Sequence, residues 1–307
     1  MPLTLRVWRF TDGRAGHEKQ TSGLVQGLRE SLPETAGAGS SIECRDIPVA
    51  EFLRDPSQLW QDSGAAPDLL IGAGRRTHLP MARVRWHLGS RAVCLMRSTL
   101  PRFCYDLALV PEHDRLWSER KVLRTLGALG PSIPGAPSAE CGLILLGGEN
   151  DHFYWSDEEV CASVSAIVAQ NPRVHWQISD SPRSSKNLIS AVDRALRGAD
   201  NAETVHYFDN DPQWLTQTLA RAGQVWVSSD SASMLYEALS SAARVGVIEL
   251  TSKRANNKLA AGIDALRREQ RVGTLSAGPL DAQALKVEPL REQVRCARWI
   301  LQQWFSP

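Results

Sequence analysis

Short apolar runs alternate with longer amphipathic segments along the whole chain. Between the runs, apolar residues recur at helical spacing, as Leu24, Val25 and Leu28 do. The runs themselves predict buried strands, because they are short and end in small or polar residues. The clearest of these runs are residues 5–10, 67–74, 91–98 and 141–150. Strands that alternate with helices predict an α/β fold with mostly parallel sheets and right-handed crossovers.

The alternation is interrupted at residues 127–140, GALGPSIPGAPSAE, which are rich in Gly and Pro and nearly uncharged. This composition is typical of a linker. Two α/β domains are therefore expected, one over residues 1–126 and one over residues 141–289. Residues 290–307 have helical apolar spacing and predict a terminal helix docked on a domain. An interfacial membrane contact through its tryptophans and arginines is the alternative.

Composition excludes several classes of protein. With 307 residues and a net charge of +1, the chain has no global charge that favours nucleic acid, and no nucleic-acid partner is expected. Its six cysteines form no CxxC pair and no zinc-spaced cluster, which favours a reducing, cytoplasmic location. No signal peptide and no membrane-spanning window is evident. A peripheral position on the inner face of the cytoplasmic membrane is a further expectation.

The most informative segment is residues 227–248, VSSDSASMLYEALSSAARVGVI, which predict strand, polar turn, helix and strand. A helix N-terminus with free amides and flanking hydroxyls binds anions readily. Glu237, one to two turns into that helix, is placed to accept hydrogen bonds from sugar hydroxyls. This layout is the one expected of a nucleotide-sugar site. The alternative is an ordinary α/β crossover in which Ser231 is the N-cap and no ligand binds.

Polar loops also follow strands in the first half of the chain. In open parallel sheets, ligands bind at the loops that follow the carboxyl ends of the strands. In residues 12–20, DGRAGHEKQ, Gly13 and Gly16 would let a ligand approach the backbone, and His17 is a candidate general base, since histidine titrates near neutrality. The loop after the apolar run at 67–74 contains Gly74, Arg75 and Arg76. It suits an anionic group but lacks the GxGxxG dinucleotide fingerprint. His113 beside Asp114 is either a second oriented base or a surface turn.

Two loops of the second half carry similar chemistry. Gly147 and Gly148 would let a phosphate or a sugar approach the backbone. In residues 179–184, SDSPRS, Ser181 and Arg183 are candidates, and Arg183 would pair with a diphosphate where other enzymes place a divalent ion. No DxD-type acidic pair or His cluster suits a metal, so metal-free phosphate binding without a cofactor is expected, with the nucleotide-sugar as substrate.

Taken in order, the motifs DGRAGHEKQTSGL, PDLLIGAGRRT, VPEHD, LLGGEN, SDSPRSS and SSDSASMLYEAL resemble the "elongated mitochondria" family, named after a plant mitochondrial-fission factor. The resemblance covers about residues 5–305, and the DSxSMxxEA core at 230–238 is its most specific part. Bacterial members are similar to glycosyltransferases of the GT-B fold. The resemblance implies two Rossmann-like domains facing a cleft, with residues 290–307 crossing back as a helix to the N-terminal acceptor domain.

The resemblance also implies roles for residues. The C-terminal domain would hold the nucleotide-sugar donor, with Glu237 on its ribose or sugar hydroxyls and Arg183 on the leaving group. Its other expected donor-binding residues are Gly147, Gly148, Ser181, Asp230, Ser231, Ser233 and Met234. The acceptor hydroxyl would be deprotonated or oriented by His17, with Asp12, His113 and Asp114 as the alternatives. Gly13, Gly16, Gly74, Arg75 and Arg76 would bind the acceptor or a phosphate.

The function implied is a metal-independent transfer of sugar to a cell-envelope acceptor, such as lipopolysaccharide core or a lipid-linked molecule. A non-catalytic recruitment protein is the alternative, because the plant relative recruits division machinery. A nucleotide-sugar epimerase or another dinucleotide enzyme is a third, disfavoured by the missing GxGxxG and the missing YxxxK pair.

Overall fold

The structure is a computed structural model that describes residues 2–56, 66–112, 120–211 and 213–306. The chain divides into two compact units. The first comprises Met1–Pro131 and Arg291–Pro307, and the second comprises Ser132–Leu290. Both units are α/β, and all the strand pairs of both sheets are parallel, as the alternating pattern predicts.

The sheet of the first unit has six strands in the order β2-β1-β3-β4-β5-β6. These strands are β1 Thr4–Thr11, β2 Ser41–Pro48, β3 Leu69–Ala73, β4 Arg91–Leu95, β5 Leu107–Pro111 and β6 Val122–Thr125. The helices described in this unit are α1 Ala15–Ala36, α2 Val49–Arg54, α3 Arg75–Leu88 and the C-terminal α9 Glu292–Trp304. One face of the sheet packs on α1 and α9, and the other packs on α2 and α3.

Helix α9 packs along α1 in the first unit. The two backbones approach so closely that a Cβ on Gly27 would lie 2.4 Å from the carbonyl oxygen of Gln293. The arginines of α9 are ion-paired within the unit, Arg291 with Glu30, Arg298 with Glu34 and Arg295 with Glu292. Trp299 and Trp304 pack on the core. The apolar side of this helix is therefore covered by protein, which leaves little of it for a membrane.

The second unit repeats the architecture with the strand order β12-β11-β10-β7-β8-β9. Its strands are β7 Ser138–Leu145, β8 His175–Ser179, β9 Ala202–Val205, β10 Ala222–Ser228, β11 Arg244–Ile248 and β12 Val272–Thr274. Its described helices are α4 Asp157–Gln170, α5 Leu188–Ala195, α6 Trp214–Arg221, α7 Ala232–Leu239 and α8 Lys258–Arg268. Trp176 and Trp226 are buried against Gly142 and Gly246, where any Cβ would collide with the indole rings.

Several details differ from the sequence-based expectation. Strand β7 begins at Ser138, inside the segment expected to be a linker. The short strands β6 and β12 were not predicted from the sequence. Among the described residues, no helix combines the length and hydropathy needed to cross a bilayer.

Candidate functional site

In the first unit, the loop after β1 holds an aspartate–histidine pair. Asp12 follows the strand directly, and His17 lies in the first turn of α1. Nδ1 of His17 is 2.9 Å from Oδ2 of Asp12, and the two side chains are 16% and 1% exposed. A hydrogen bond to the buried carboxylate favours the tautomer of the neutral ring that carries its proton on Nδ1, and in that tautomer the lone pair of Nε2 can accept a proton. The sequence-based candidates Asp12 and His17 are therefore brought together as one hydrogen-bonded aspartate–histidine pair.

The loop after the neighbouring strand β3 reaches the same place. Gly74 has φ +80°, and a Cβ built on it would lie 2.2 Å from Cε1 of His17. The histidine ring thus lies against the backbone of Gly74, which only glycine permits at this distance. Arg75 and Arg76 follow as the exposed first residues of α3. The structure therefore brings together Asp12, His17, Gly74 and the start of an arginine-bearing helix.

A Gly74→Ala variant is expected to displace the His17 ring. Alanine would have to adopt the positive-φ backbone of Gly74, which costs about 1–3 kcal/mol. Its Cβ would also collide with the His17 ring, which costs about 1–3 kcal/mol more. Gly13→Ala is the matched control, since Gly13 has φ +78° and a Cβ added to it would have no neighbour within 4 Å. Urea unfolding of both variants measures the loss of stability, and NMR of the His17 ring shows whether the ring moves. Together they separate the backbone cost, which both variants share, from the collision, which only Gly74→Ala has. Equal loss of stability in both, with an unmoved ring, would contradict this packing.

His78 belongs to the same region and was not singled out from the sequence. It is 2% exposed in the second turn of α3, and its Nδ1 accepts a hydrogen bond from the backbone N–H of Thr99 at 3.3 Å. Burial, with the charge of nearby His17, lowers the pKa of His78 to about 4. The ring is therefore neutral near physiological pH. Its place four residues after Gly74, just beyond the strand-end loop, was the signal available in the sequence.

The remaining sequence-based candidates of the first unit are two glycines and a histidine–aspartate pair, and the structure describes only the glycines. Gly13 has a left-handed backbone, and Gly13 and Gly16 both have open space where a side chain would stand. The N–H of Gly13 donates to Oε1 of Glu18 at 3.1 Å. His113 and Asp114 lie outside the described residues, so the alternative base pair stays a prediction.

In the second unit, Asp230 connects three loops. Its side chain is fully buried, and Oδ2 accepts a hydrogen bond from the N–H of Gly148 at 3.1 Å and pairs with Arg183 at 2.9 Å. Its Oδ1 accepts a hydrogen bond from the hydroxyl of Ser228 at 2.6 Å. Asp230, expected to bind the donor, therefore has its carboxylate occupied by the protein itself. Its position indicates that it holds the strand-end loops in place.

Gly147 and Gly148 lie where the loops that contain Asp230 and Arg183 meet. A Cβ on Gly147 would lie 2.0 Å from Oδ2 of Asp230, and one on Gly148 would lie 2.1 Å from the carbonyl oxygen of Arg183. The N–H of Gly147 donates to Oγ of Ser228 at 2.8 Å. The close approach that these glycines permit is therefore between two segments of this chain, and their amides are already engaged.

The backbone amides at the start of α7, unlike those of Gly147 and Gly148, are not engaged by the described part of the protein. Ser231 is the N-cap residue, but its side chain makes no capping hydrogen bond. The first three N–H groups of the helix, those of Ala232, Ser233 and Met234, have no acceptor among the described residues. Three donors at the positive end of a helix form a favourable position for an anion.

These amides border a cavity of about 400 Å³ at the carboxyl ends of β7 and β8. Of the sequence-based candidates, Ser181, Arg183, Ser231 and Met234 line it. Ser233, Glu237, Asp230 and the two glycines of the β7 loop are not among its lining residues. Its further lining residues are Leu145, Ser179, Asp180, Pro182, Tyr207, Asn210, Asp211, Trp214 and Leu215.

The cavity wall formed by Tyr207, Asn210, Asp211, Trp214 and Leu215 is the part of the site that sequence reasoning missed. Tyr207 is held by Asp180, whose Oδ1 accepts a hydrogen bond from the Tyr207 N–H at 2.9 Å. Trp214 begins α6 on the same wall. The signal was present in the sequence, where the aromatic residues Tyr207, Phe208 and Trp214 lie close together. No cluster of three or more metal-ligating side chains occurs within the described ranges of the chain.

The chain matches the model of a known protein family. The family model described as mitochondrial fission ELM1 matches residues 15–304. The chain belongs to the mitochondrial fission ELM1 family. This confirms the resemblance seen in the motifs. A comparison with curated proteins gave no significant match.

Solved structures similar to this ELM1-family chain have little sequence identity with it. UDP-GlcNAc 2-epimerase from Neisseria meningitidis, bound to UDP-GlcNAc, is 10% identical with a TM-score of 0.58, covering 98% of this chain and 99% of that chain. The S. aureus MnaA–UDP co-structure is 11% identical with a TM-score of 0.51, covering 97% and 88%. E. coli heptosyltransferase WaaC with ADP is 10% identical with a TM-score of 0.47, covering 86% and 99%. The first two confirm the predicted fold class, Rossmann-like domains of the GT-B type.

Proposed function

We propose that this ELM1-family protein binds a nucleotide-sugar and transfers its sugar to a cell-envelope acceptor without a metal. The observation that carries the proposal is the cavity of about 400 Å³ in the second unit, which adjoins the α7 amides that have no acceptor in the described part of the chain. Its volume lies in the range of small-molecule sites. A diphosphate would accept hydrogen bonds from those amides, and Trp214 and Tyr207 would flank the base. The solved relatives named with UDP or UDP-GlcNAc support a nucleotide-sugar ligand.

Arg183 would act beside the helix. Its guanidinium pairs with Asp230, yet its side chain is 40% exposed and lines the cavity. A guanidinium has five N–H donors, so pairing with one carboxylate leaves others for a phosphate. The negative charge that develops on the departing nucleoside diphosphate would thus meet the α7 amides and Arg183. Glu237, one turn beyond Met234 on α7, remains the proposed contact for ribose or sugar hydroxyls.

On the acceptor side, His17 would be the general base. Its Nε2 would take the proton of the acceptor hydroxyl, and Asp12 would stabilise the resulting imidazolium. In the same step, the acceptor oxygen bonds to the anomeric carbon, and the bond from that carbon to the phosphate oxygen breaks. The proton ends on His17, and the electron pair leaves with the nucleoside diphosphate. Gly74, Arg75 and Arg76 would bind the acceptor beside His17.

A thermal-shift panel of nucleoside diphosphates and nucleotide-sugars in EDTA tests the donor site. One nucleotide should raise Tm selectively, because a ligand that binds only the folded state stabilises it in proportion to occupancy. Trp214→Ala should weaken that binding about tenfold or more, whereas Tyr154→Ala, an exposed aromatic of the same unit outside the cavity, should not. Glu237→Ala with undiminished affinity would remove Glu237 from the site.

The thermal-shift panel also tests the non-catalytic alternative, a recruitment protein. No shift with any nucleotide at millimolar concentration would overturn the donor site and favour a recruitment protein. A second candidate function, nucleotide-sugar epimerisation, is favoured by the name of the Neisseria structure and its TM-score of 0.58. Incubating the bound nucleotide-sugar without acceptor and following its ring protons by NMR distinguishes the two. Inversion of a sugar carbon without transfer would establish the epimerase.

A further inference from the structure

Helix α3 presents apolar side chains away from its own core. Met81 and Val84 on its inner side belong to the buried cluster beneath the sheet. Leu79 and Trp86, by contrast, are 48% and 57% exposed. Arg83 lies between them at i+4 from Leu79 and is also exposed. Residues at this spacing share one face of a helix, so leucine, arginine and tryptophan form a single outward stripe.

The stripe extends beyond the helix through Phe103. This residue lies in the short 3₁₀ turn Arg102–Cys104 and is 64% exposed. Its ring is stacked on Trp86, with centroids 6.4 Å apart and planes at 17°. Scattered apolar side chains on a surface need no explanation. Here Trp86, on which Phe103 stacks, and Leu79 lie on the same helix face, two turns apart with Arg83 between them, and form an apolar ridge.

Strong positive charge surrounds the ridge. Residues 75–88 and 97–103 contain six arginines and no Asp or Glu, in a chain whose net charge is only +1. Arg85 is paired with Asp106 at 2.8 Å. The other five arginines are exposed, and they are Arg75, Arg76, Arg83, Arg97 and Arg102. Leu79, Trp86, Phe103 and these arginines are called the α3 face below. Its charge complements a dense array of negative groups.

We propose that the α3 face docks on the surface of an anionic lipid bilayer. Tryptophan, phenylalanine and leucine insert at the level of lipid headgroups, while arginines bind lipid phosphates, and the α3 face offers both in one place. A single-stranded nucleic acid would stack its bases on open aromatic faces, whereas the rings of Trp86 and Phe103 are packed on each other. This surface is distinct from α9, whose apolar side chains pack on α1.

Vesicle co-sedimentation of the full chain tests the proposal. Binding to vesicles that contain phosphatidylglycerol should exceed binding to pure phosphatidylcholine vesicles by about tenfold or more, and added salt should weaken it. Trp86→Ser with Phe103→Ser, and separately Arg83→Glu with Arg102→Glu, should each reduce the partition coefficient about tenfold. These side chains are exposed, so both variants should retain the wild-type Tm, which is checked first.

The matched control is Tyr154→Ser with Arg173→Glu, an exposed aromatic and an exposed arginine of the second unit. It should bind vesicles as the wild type does. Equal binding to both vesicle types, or anionic binding unchanged in both α3-face variants, would overturn the proposal. Loss in the arginine variant alone, with equal binding to duplex DNA, would also overturn it and indicate a general polyanion site.

Discussion

Replacing Asp230 by alanine should destabilise the second unit by about 3–4 kcal/mol. The carboxylate is completely buried and accepts hydrogen bonds from the N–H of Gly148 and the hydroxyl of Ser228. Alanine leaves both of these buried donors without their acceptor, which is the costly part. Loss of the Arg183 pair adds less, because Arg183 is 40% exposed and water can solvate it.

Urea unfolding followed by tryptophan fluorescence measures this effect, since Trp176 and Trp226 are buried in the same unit. Asp230→Asn keeps one acceptor oxygen and should lose about half as much stability. Asp151→Ala, an exposed aspartate in the loop after β7, is the control and should be nearly neutral. A loss below about 1 kcal/mol for Asp230→Ala would show that the junction of loops does not depend on this carboxylate.

Asp230 also shows where sequence reasoning reaches its limit. Polar residues at a strand end look the same in a sequence whether they face a ligand or a neighbouring loop. Gly148 and Asp230 are 82 positions apart, and only the parallel order of β7 beside β10 brings them together. Ser231 and Met234, from the same motif, do line the cavity. One motif thus contains residues of both kinds, which spacing alone cannot separate.

The fold was more predictable than the site because buried strands carry strong patterns. The runs that predict β3, β5 and β10 are nearly continuous apolar segments, and all three are buried. Strands β6 and β12 were missed because they are short edge strands, of four and three residues. A short strand covered on one side gives too few alternations to be recognised. Helix α4, by contrast, begins at a clear local signal, because Oγ of Ser156 caps it by accepting a hydrogen bond from the N–H of Glu159.

Replacing His17 by glutamine should reduce the turnover of sugar transfer by about 10²–10⁴-fold, the usual contribution of a general base. Donor affinity in the thermal-shift panel should be unchanged, because His17 and the donor cavity belong to different units. Glutamine retains hydrogen-bonding capacity, so a purely structural role for His17 would be partly preserved. Loss of kcat with intact Tm and donor affinity is therefore the signature of a base.

Asp12→Asn tests how His17 is prepared for that role. The carboxylate oxygen 2.9 Å from Nδ1 favours the tautomer with the proton on that nitrogen, in which Nε2 can accept a proton. An asparagine amide can turn its NH₂ group toward Nδ1 and favour the opposite tautomer, in which Nε2 is already protonated. We expect kcat to fall about 10²-fold or more, with the fold intact. NMR of ¹⁵N-labelled histidine reads the tautomer directly. Full activity in both variants would show that the acceptor proton leaves through another group.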